Sequence, residues 1–155
     1  MSFGYTRAPE DNRDMAADSD ELLSAAFRLK HDLGKAVRWN APARRERGVE
    51  SLRRRLARDL VETRTGPDGR TRSAVEVFDA WMAGDGALFH ADPDGSSRIA
   101  RMAAAVEKIR RLVPRLAELG RDDLVALDQA SLDLAEETRA LWRERVAAAS
   151  AAFLP

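Results

Sequence analysis

Apolar residues recur at alternating spacings of three and four along this chain, and this periodicity constrains the fold more than any other feature. The clearest example is the heptad pattern formed by Ile99, Met102, Val106, Ile109, Val113 and Leu116. Such spacing places apolar side chains along one stripe of an α-helix, and that stripe has to be buried against other helices. The chain is therefore predicted to be all-α, an elongated antiparallel bundle of four to five helices.

The first half of the chain contains two such segments. One predicted helix is capped by Ser19 or Asp20 and ends near residues 40–42; its stripe consists of Leu22, Ala26, Leu29, Leu33 and Ala36 or Val37. A second begins near residue 43, and its stripe consists of Val49, Leu52, Leu56 and Leu60. Residues 1–18 carry few apolar side chains, so they are predicted to form a flexible acidic arm ahead of a single helical-bundle domain at 19–155.

The middle of the chain leaves two local structures open. Residues 65–70 have the Pro and Gly content of a turn. We expect a helix over residues 73–82 with Val75, Phe78 and Met82 inward. The flanks at 61–65 and 70–77 also alternate in the way of two short strands, so a β-hairpin is the alternative there.

The second half predicts two long helices. The heptad helix is expected to begin at Ser96 or Ser97 and to be kinked or ended by Pro114, which removes a backbone donor. The last helix is expected to start at Asp122 or Asp123 and to run to about residue 152. Its inward residues are predicted to be Leu124, Leu127, Leu134, Leu141 and Val146. At about 1.5 Å per residue it spans roughly 45 Å, so part of it is available to project toward a partner.

Composition excludes several functional classes. The chain has no Cys and two His, which excludes disulfides, thiolate chemistry and an all-histidine zinc site. Lys plus Arg equals Asp plus Glu at 26 each, so there is no net attraction to nucleic acid or to an anionic membrane. The chain shows no membrane-spanning run, signal-peptide pattern, phosphate-binding glycine loop or Rossmann fingerprint. We therefore expect a cytoplasmic protein without a cofactor.

Charge is segregated between two segments. Arginines dominate residues 38–58, and acidic residues dominate residues 118–137. The simplest interpretation is that the second and last helices lie near each other and compensate. The functional alternative is a basic surface, centred on Arg53 and Arg54, that binds an acidic protein. Nucleic acid is disfavoured because no aromatic residues interleave with the arginines.

The pentapeptide His31-Asp32-Leu33-Gly34-Lys35 is the strongest motif in the chain. It resembles the central motif of HD-type phosphohydrolases, in which adjacent His and Asp residues bind a divalent metal. That family also requires an upstream histidine, and no histidine precedes His31 in this sequence. The resemblance therefore implies at most a degenerate HD-like domain without metal.

The same box resembles the phosphoacceptor helix of histidine kinases and histidine phosphotransfer proteins, where His is followed by an acidic and then an aliphatic residue. This resemblance implies a phosphoryl group on His31, with Asp32 as the orienting base and Lys35 as electrostatic support. The partner it implies is a receiver domain or a kinase. The proline typical of the kinases is absent, and no ATP-binding half is present.

Helical phase adds a geometric expectation. At about 100° per residue, His31 lies nearly opposite the apolar stripe of its helix and should face solvent. The candidate contact surface on the same side consists of Leu23, Phe27, Lys30 and Gly34. His90 lies near Asp92 and Asp94 and is read as a loop histidine beside capping aspartates.

Three functions follow in order of support. The first is a non-catalytic helical bundle that acts by protein–protein interaction as a regulatory or signalling adaptor. The second is a stand-alone phosphotransfer protein that uses His31. The third is the degenerate HD-like domain. The amphipathic helices also permit two copies to associate as a homodimer.

Overall fold

The computed structural model describes residues 18–36, 48–61, 64–65 and 71–151. Within them the chain is all-α, as predicted, with five α-helices. These are α1 (Ser19–Ala36), α2 (Val49–Leu56), α3 (Ala74–Ala83), α4 (Pro93–Leu112) and α5 (Arg121–Ala151). The arm expected at residues 1–18 lies outside the described residues apart from Asp18, as do the predicted end of the first helix and start of the second.

Helix α1 follows the predicted periodicity closely. Its N-terminus is capped by Asp18, whose Oδ1 accepts a hydrogen bond from the Glu21 N–H at 2.8 Å. This cap lies one residue ahead of the predicted Ser19. The stripe residues Leu22, Ala26, Leu29, Leu33 and Ala36 are buried, and Ala25 is buried with them.

Helix α2 continues into a single π-helical turn at Ala57–Val61. Of the β-hairpin that the sequence left open, the described residues contain a two-residue antiparallel pair, β1 (Arg64–Thr65) with β2 (Thr71–Arg72). Helix α3 follows directly after this pair and begins with a capping box, in which Ser73 and Glu76 bond each other's backbone N–H. Both alternatives for this region are thus present, with the helix dominant.

Helix α3 buries Phe78, as predicted, and also Trp81. Trp81 Nε1 donates to the Ala25 carbonyl of α1 at 2.9 Å, which satisfies a polar atom inside the core. Val75 and Met82, both expected to point inward, are only half-buried. The indole therefore links α3 to α1 through a buried hydrogen bond.

Helix α4 begins earlier than the predicted Ser96. Asp92 is its N-cap, with Oδ2 accepting from the Gly95 N–H at 2.8 Å, and Pro93 occupies the first turn. Pro-Asp-Gly is thus the first turn of a helix here, not a separate turn. At the other end α4 stops at Leu112 and passes into a 3-10 helix, Val113–Glu118, that contains Pro114, so of the two predicted effects of Pro114, a kink or an end, the regular helix ends here.

Helix α5 has 31 residues, so its axis is about 46 Å long. Leu124, Leu127, Leu134 and Leu141 are buried as predicted, whereas Val146 is 37% exposed. Helices α4 and α5 are antiparallel: Arg98 pairs with Glu144, while Met102, further along α4, contacts Thr138, which lies earlier on α5. The buried residues of all five helices form one hydrophobic cluster. None of the described helices is both long and apolar enough to cross a membrane.

Candidate functional site

His31 lies on the solvent-facing side of α1, as its helical phase predicted. Its side chain is 44% exposed. Leu29 and Leu33 are fully buried on the opposite face, and they fix the rotation of the helix about its axis. The core residues of α1 thus determine where the box points.

The imidazole belongs to a small surface cluster of rings. Phe27 stacks on His31 with ring centroids 5.7 Å apart and planes inclined by 23°. Phe27 also contacts Trp142 of α5, with centroids 5.4 Å apart and planes inclined by 56°. We call Phe27, His31 and Trp142 the aromatic patch. Phe27 is 46% exposed, so the patch presents an apolar ring to solvent.

Charged groups border the aromatic patch. The Lys30 ammonium lies over the Trp142 ring, 5.8 Å from its centroid, in a cation–π contact. Lys35 is exposed one turn beyond His31, and Leu23 is half-buried one turn before Phe27. The border of the patch therefore carries two cations close to an apolar centre.

Asp32 is positioned to select the tautomer of His31. Its Oδ1 lies 3.3 Å from Nδ1 of the imidazole. A carboxylate at that distance favours the tautomer that carries its proton on Nδ1, because an N–H then faces the anion. The lone pair is in that case on Nε2, which makes Nε2 the nucleophilic nitrogen of the ring.

Gly34 lies beside His31 on the exposed face of α1. A Cβ atom at this position would meet none of the described residues within 4 Å. Packing against the described part of the chain therefore does not require glycine here, although glycine in a helix interior costs about 1 kcal/mol relative to alanine. The backbone at this point is accessible to close approach from outside.

The two arginines assigned to a partner surface differ in their environments. Arg53 is half-buried, and its Nη1 donates to the carbonyl oxygens of Leu116 and Leu119 at 2.7 and 2.9 Å. It therefore satisfies acceptors at the end of the 3-10 helix that follows α4. Arg54 is exposed. Of the two, Arg54 is the more accessible to solvent.

The basic second helix and the acidic last helix do lie in contact. Arg55 donates to Asp128 of α5 at 2.8 Å and to Asp59 at 3.4 Å. Asp59 is only 2% exposed, and burial raises the pKa of its carboxyl, with Arg58 and Arg55 opposing that shift. The opposite charges of the second and last helices therefore partly compensate each other through contacts inside the fold.

His90 is exposed and follows the 3-10 helix Asp85–Phe89. Its neighbour Asp92 caps α4, in line with the interpretation of this loop. Within the part of the chain that the structure describes, no three His, Asp or Glu side chains converge in a way that could hold a metal ion. Among the described residues, no third side chain of this kind joins His31 and Asp32.

Trp142 is the member of the patch that sequence reasoning missed. It lies 115 positions after Phe27, and the periodicity of α5 indicates which residues are buried without indicating which helix they meet. The signal in the sequence was that Trp142 follows the inward-facing Leu141, a position that places its large amphipathic ring at the edge of the core.

No family model matches the chain, and searches of curated proteins and solved structures also gave no match.

Proposed function

We propose that this chain acts by protein–protein interaction, as a helical module of a regulatory or signalling assembly, and that the aromatic patch is its contact surface. The observation that carries the proposal is Phe27, which remains 46% exposed although it contacts His31 and Trp142. Aromatic side chains that are rigid and still accessible supply most of the binding energy at protein interfaces.

The chemistry around the patch defines the partner. Lys30 and Lys35 are exposed at its border, and Gly34 leaves the helix backbone open to close approach. The complementary surface is an apolar side chain flanked by carboxylates. Charge complementarity of this kind orients the partner and speeds association more than it adds affinity.

Photo-crosslinking from the patch tests the proposal. A benzophenone amino acid replaces Phe27 in one variant and the equally exposed Val61 in a matched control, and each is irradiated in an extract of the producing cells. A protein adduct specific to position 27, and lost when Trp142→Ala is added, is expected. The isolated partner should then bind Phe27→Ala at least about tenfold more weakly than wild type. Adducts that are absent, or the same from both positions, would reject the patch as a contact surface.

A second function is favoured by one specific observation, the contact of Asp32 with Nδ1 of an exposed His31. With the proton held on Nδ1, the Nε2 lone pair can attack the phosphorus of an acyl phosphate on a receiver domain. The N–P bond forms as the P–O bond to the carboxylate breaks, and the receiver carboxylate leaves. Asp32 then neutralises part of the charge on the ring, and Lys35 lies close enough along the helix to compensate the phosphoryl group.

The two histidines of the chain allow a clean test of phosphotransfer. Wild type, His31→Gln and the control His90→Gln are incubated with a phosphorylated receiver domain. We expect acid-labile, alkali-stable label on wild type and His90→Gln, and none on His31→Gln. Label that is absent from wild type, or that persists in His31→Gln, would exclude His31 as the acceptor and leave the contact proposal standing.

A further inference from the structure

Helix α5 carries a second surface, on the side turned away from the core. We call it the outer stripe; its members are Val125, Gln129, Asp133, Glu136, Ala140, Arg143, Ala147 and Ala151. At about 100° per residue they lie within an arc of about 80°. That arc is centred opposite Thr138, which is 1% exposed. All the members are exposed except Ala140, which is half-buried.

The order of charges along the outer stripe is self-complementary. Asp133 and Glu136 occupy its first half, and Arg143 occupies its second half. Asp133 and Arg143 each lie five residues from Thr138, or about 7.5 Å along the helix axis. Asp133 accepts a hydrogen bond from the neutral amide of Gln129 at 2.9 Å, so this contact does not neutralise its charge.

A two-fold axis at the level of Thr138 brings these charges together. When two α5 helices pack against each other antiparallel about this axis, Asp133 of each copy lies opposite Arg143 of the other. The same operation sets Glu136 against Ala140 and Gln129 against Ala147, so that each long side chain meets a small one. It also sets Val125, which is 50% exposed, against Ala151. A parallel pairing would instead place Asp133 against Asp133.

The surface beside the outer stripe is concave. Two shallow depressions adjoin along the line where α4 and α5 meet, and Glu136 and Glu137 border both. Besides these two glutamates, their lining combines four alanines with charged side chains of both signs, namely Arg98, Arg101, Lys108, Asp133, Arg139 and Arg143. Of the alanines, Ala140 belongs to the outer stripe, and its small side chain lets a second helix approach closely there.

We propose that a second copy of this chain docks on the outer stripe, antiparallel about a two-fold axis, with Asp133 of each copy paired to Arg143 of the other. Exposed ion pairs contribute little affinity but set orientation, and salt screens them. The dimer therefore dissociates more readily as ionic strength rises. Trp142 lies about 140° around α5 from the centre of the stripe, so each copy keeps its aromatic patch accessible.

Charge exchange between copies tests this arrangement on the full chain. Sedimentation velocity at about 50 mM and about 500 mM salt should show a dimer whose fraction is smaller at the higher salt. Asp133→Lys and Arg143→Glu should each be monomeric, because each places like charges together twice. Their equimolar mixture should dimerise again, because Lys then faces Glu and Asp faces Arg. The control Arg115→Glu, an exposed change outside the stripe, should behave as wild type.

A crosslink gives a readout that does not depend on charge. The chain has no Cys, so oxidation of a mixture of Glu136→Cys and Ala140→Cys should give a disulfide-linked pair, whereas Val61→Cys with Ala140→Cys should not. The proposal is overturned by a wild type that stays monomeric at millimolar concentration. It is equally overturned by single variants that dimerise like wild type, or by a mixture that does not recover.

Discussion

At the scale of single residues, the most informative side chain is the buried carboxyl of Asp59. Its contacts to Arg55 and Arg58, at 3.4 and 3.5 Å, are long, so burial dominates and raises its pKa above the ordinary value of 3.8. The folded protein then binds more protons than the unfolded chain, so this group's contribution falls as pH rises from 3.8 through the raised pKa. We predict that the stability of wild type relative to Asp59→Asn decreases across that window, measured by urea unfolding at a series of pH values.

Glu76 provides a control, because its contribution to stability has the opposite dependence on pH. The backbone N–H of Ser73 and the serine side chain lower its pKa below 4.5, so its contribution is present above that value and is lost as pH falls. The stability of wild type relative to Glu76→Gln should therefore increase with pH over the corresponding range. A flat difference for Asp59→Asn, or one that also increases with pH, would contradict the effect assigned to burial.

At the scale of elements, the adjacent residues Arg53 and Arg54 test how the end of the 3-10 helix after α4, Val113–Glu118, is held in place. Arg53→Met removes the Nη1 donor from the carbonyls of Leu116 and Leu119, of which Leu116 keeps only the Leu119 N–H at 3.4 Å, and this should cost about 1–3 kcal/mol of unfolding free energy. Arg54→Met changes an exposed side chain and should stay within about 0.5 kcal/mol. Urea unfolding of the two variants measures the difference. Equal losses would mean that Arg53 does not hold this segment.

Arg53 and Arg54 also show which features could not be predicted from the sequence. Periodicity predicted the buried stripe of α1 and the outward direction of His31, because both follow from the 3.6-residue repeat of one helix. The different roles of Arg53 and Arg54 depend on carbonyls more than 60 positions away. The start of α4 was placed three residues too late, because Pro93-Asp94-Gly95 was read as a turn although proline suits the first turn of a helix.

At the scale of the whole molecule, the all-α class followed from the apolar patterns of the predicted helices, whereas the arrangement of helices did not. Contacts such as Trp81 with Ala25, or Phe27 with Trp142, join segments 56 and 115 positions apart. Helical phase predicts which face of each helix is buried, but it does not identify the neighbour. The aromatic patch and the outer stripe are both products of that arrangement, and neither could be assigned from one helix alone.

The position of α5 also matters while the chain is being made. This helix packs against α1, α2 and α4, and it is the last of the five to leave the ribosome. At roughly 5–20 residues per second, its 31 residues take roughly 2 to 6 s to synthesise. During that interval Met102 lacks its contact with Thr138 and Phe27 lacks its contact with Trp142, so the nascent chain passes through a stage in which chaperone binding and aggregation compete with completion of the fold.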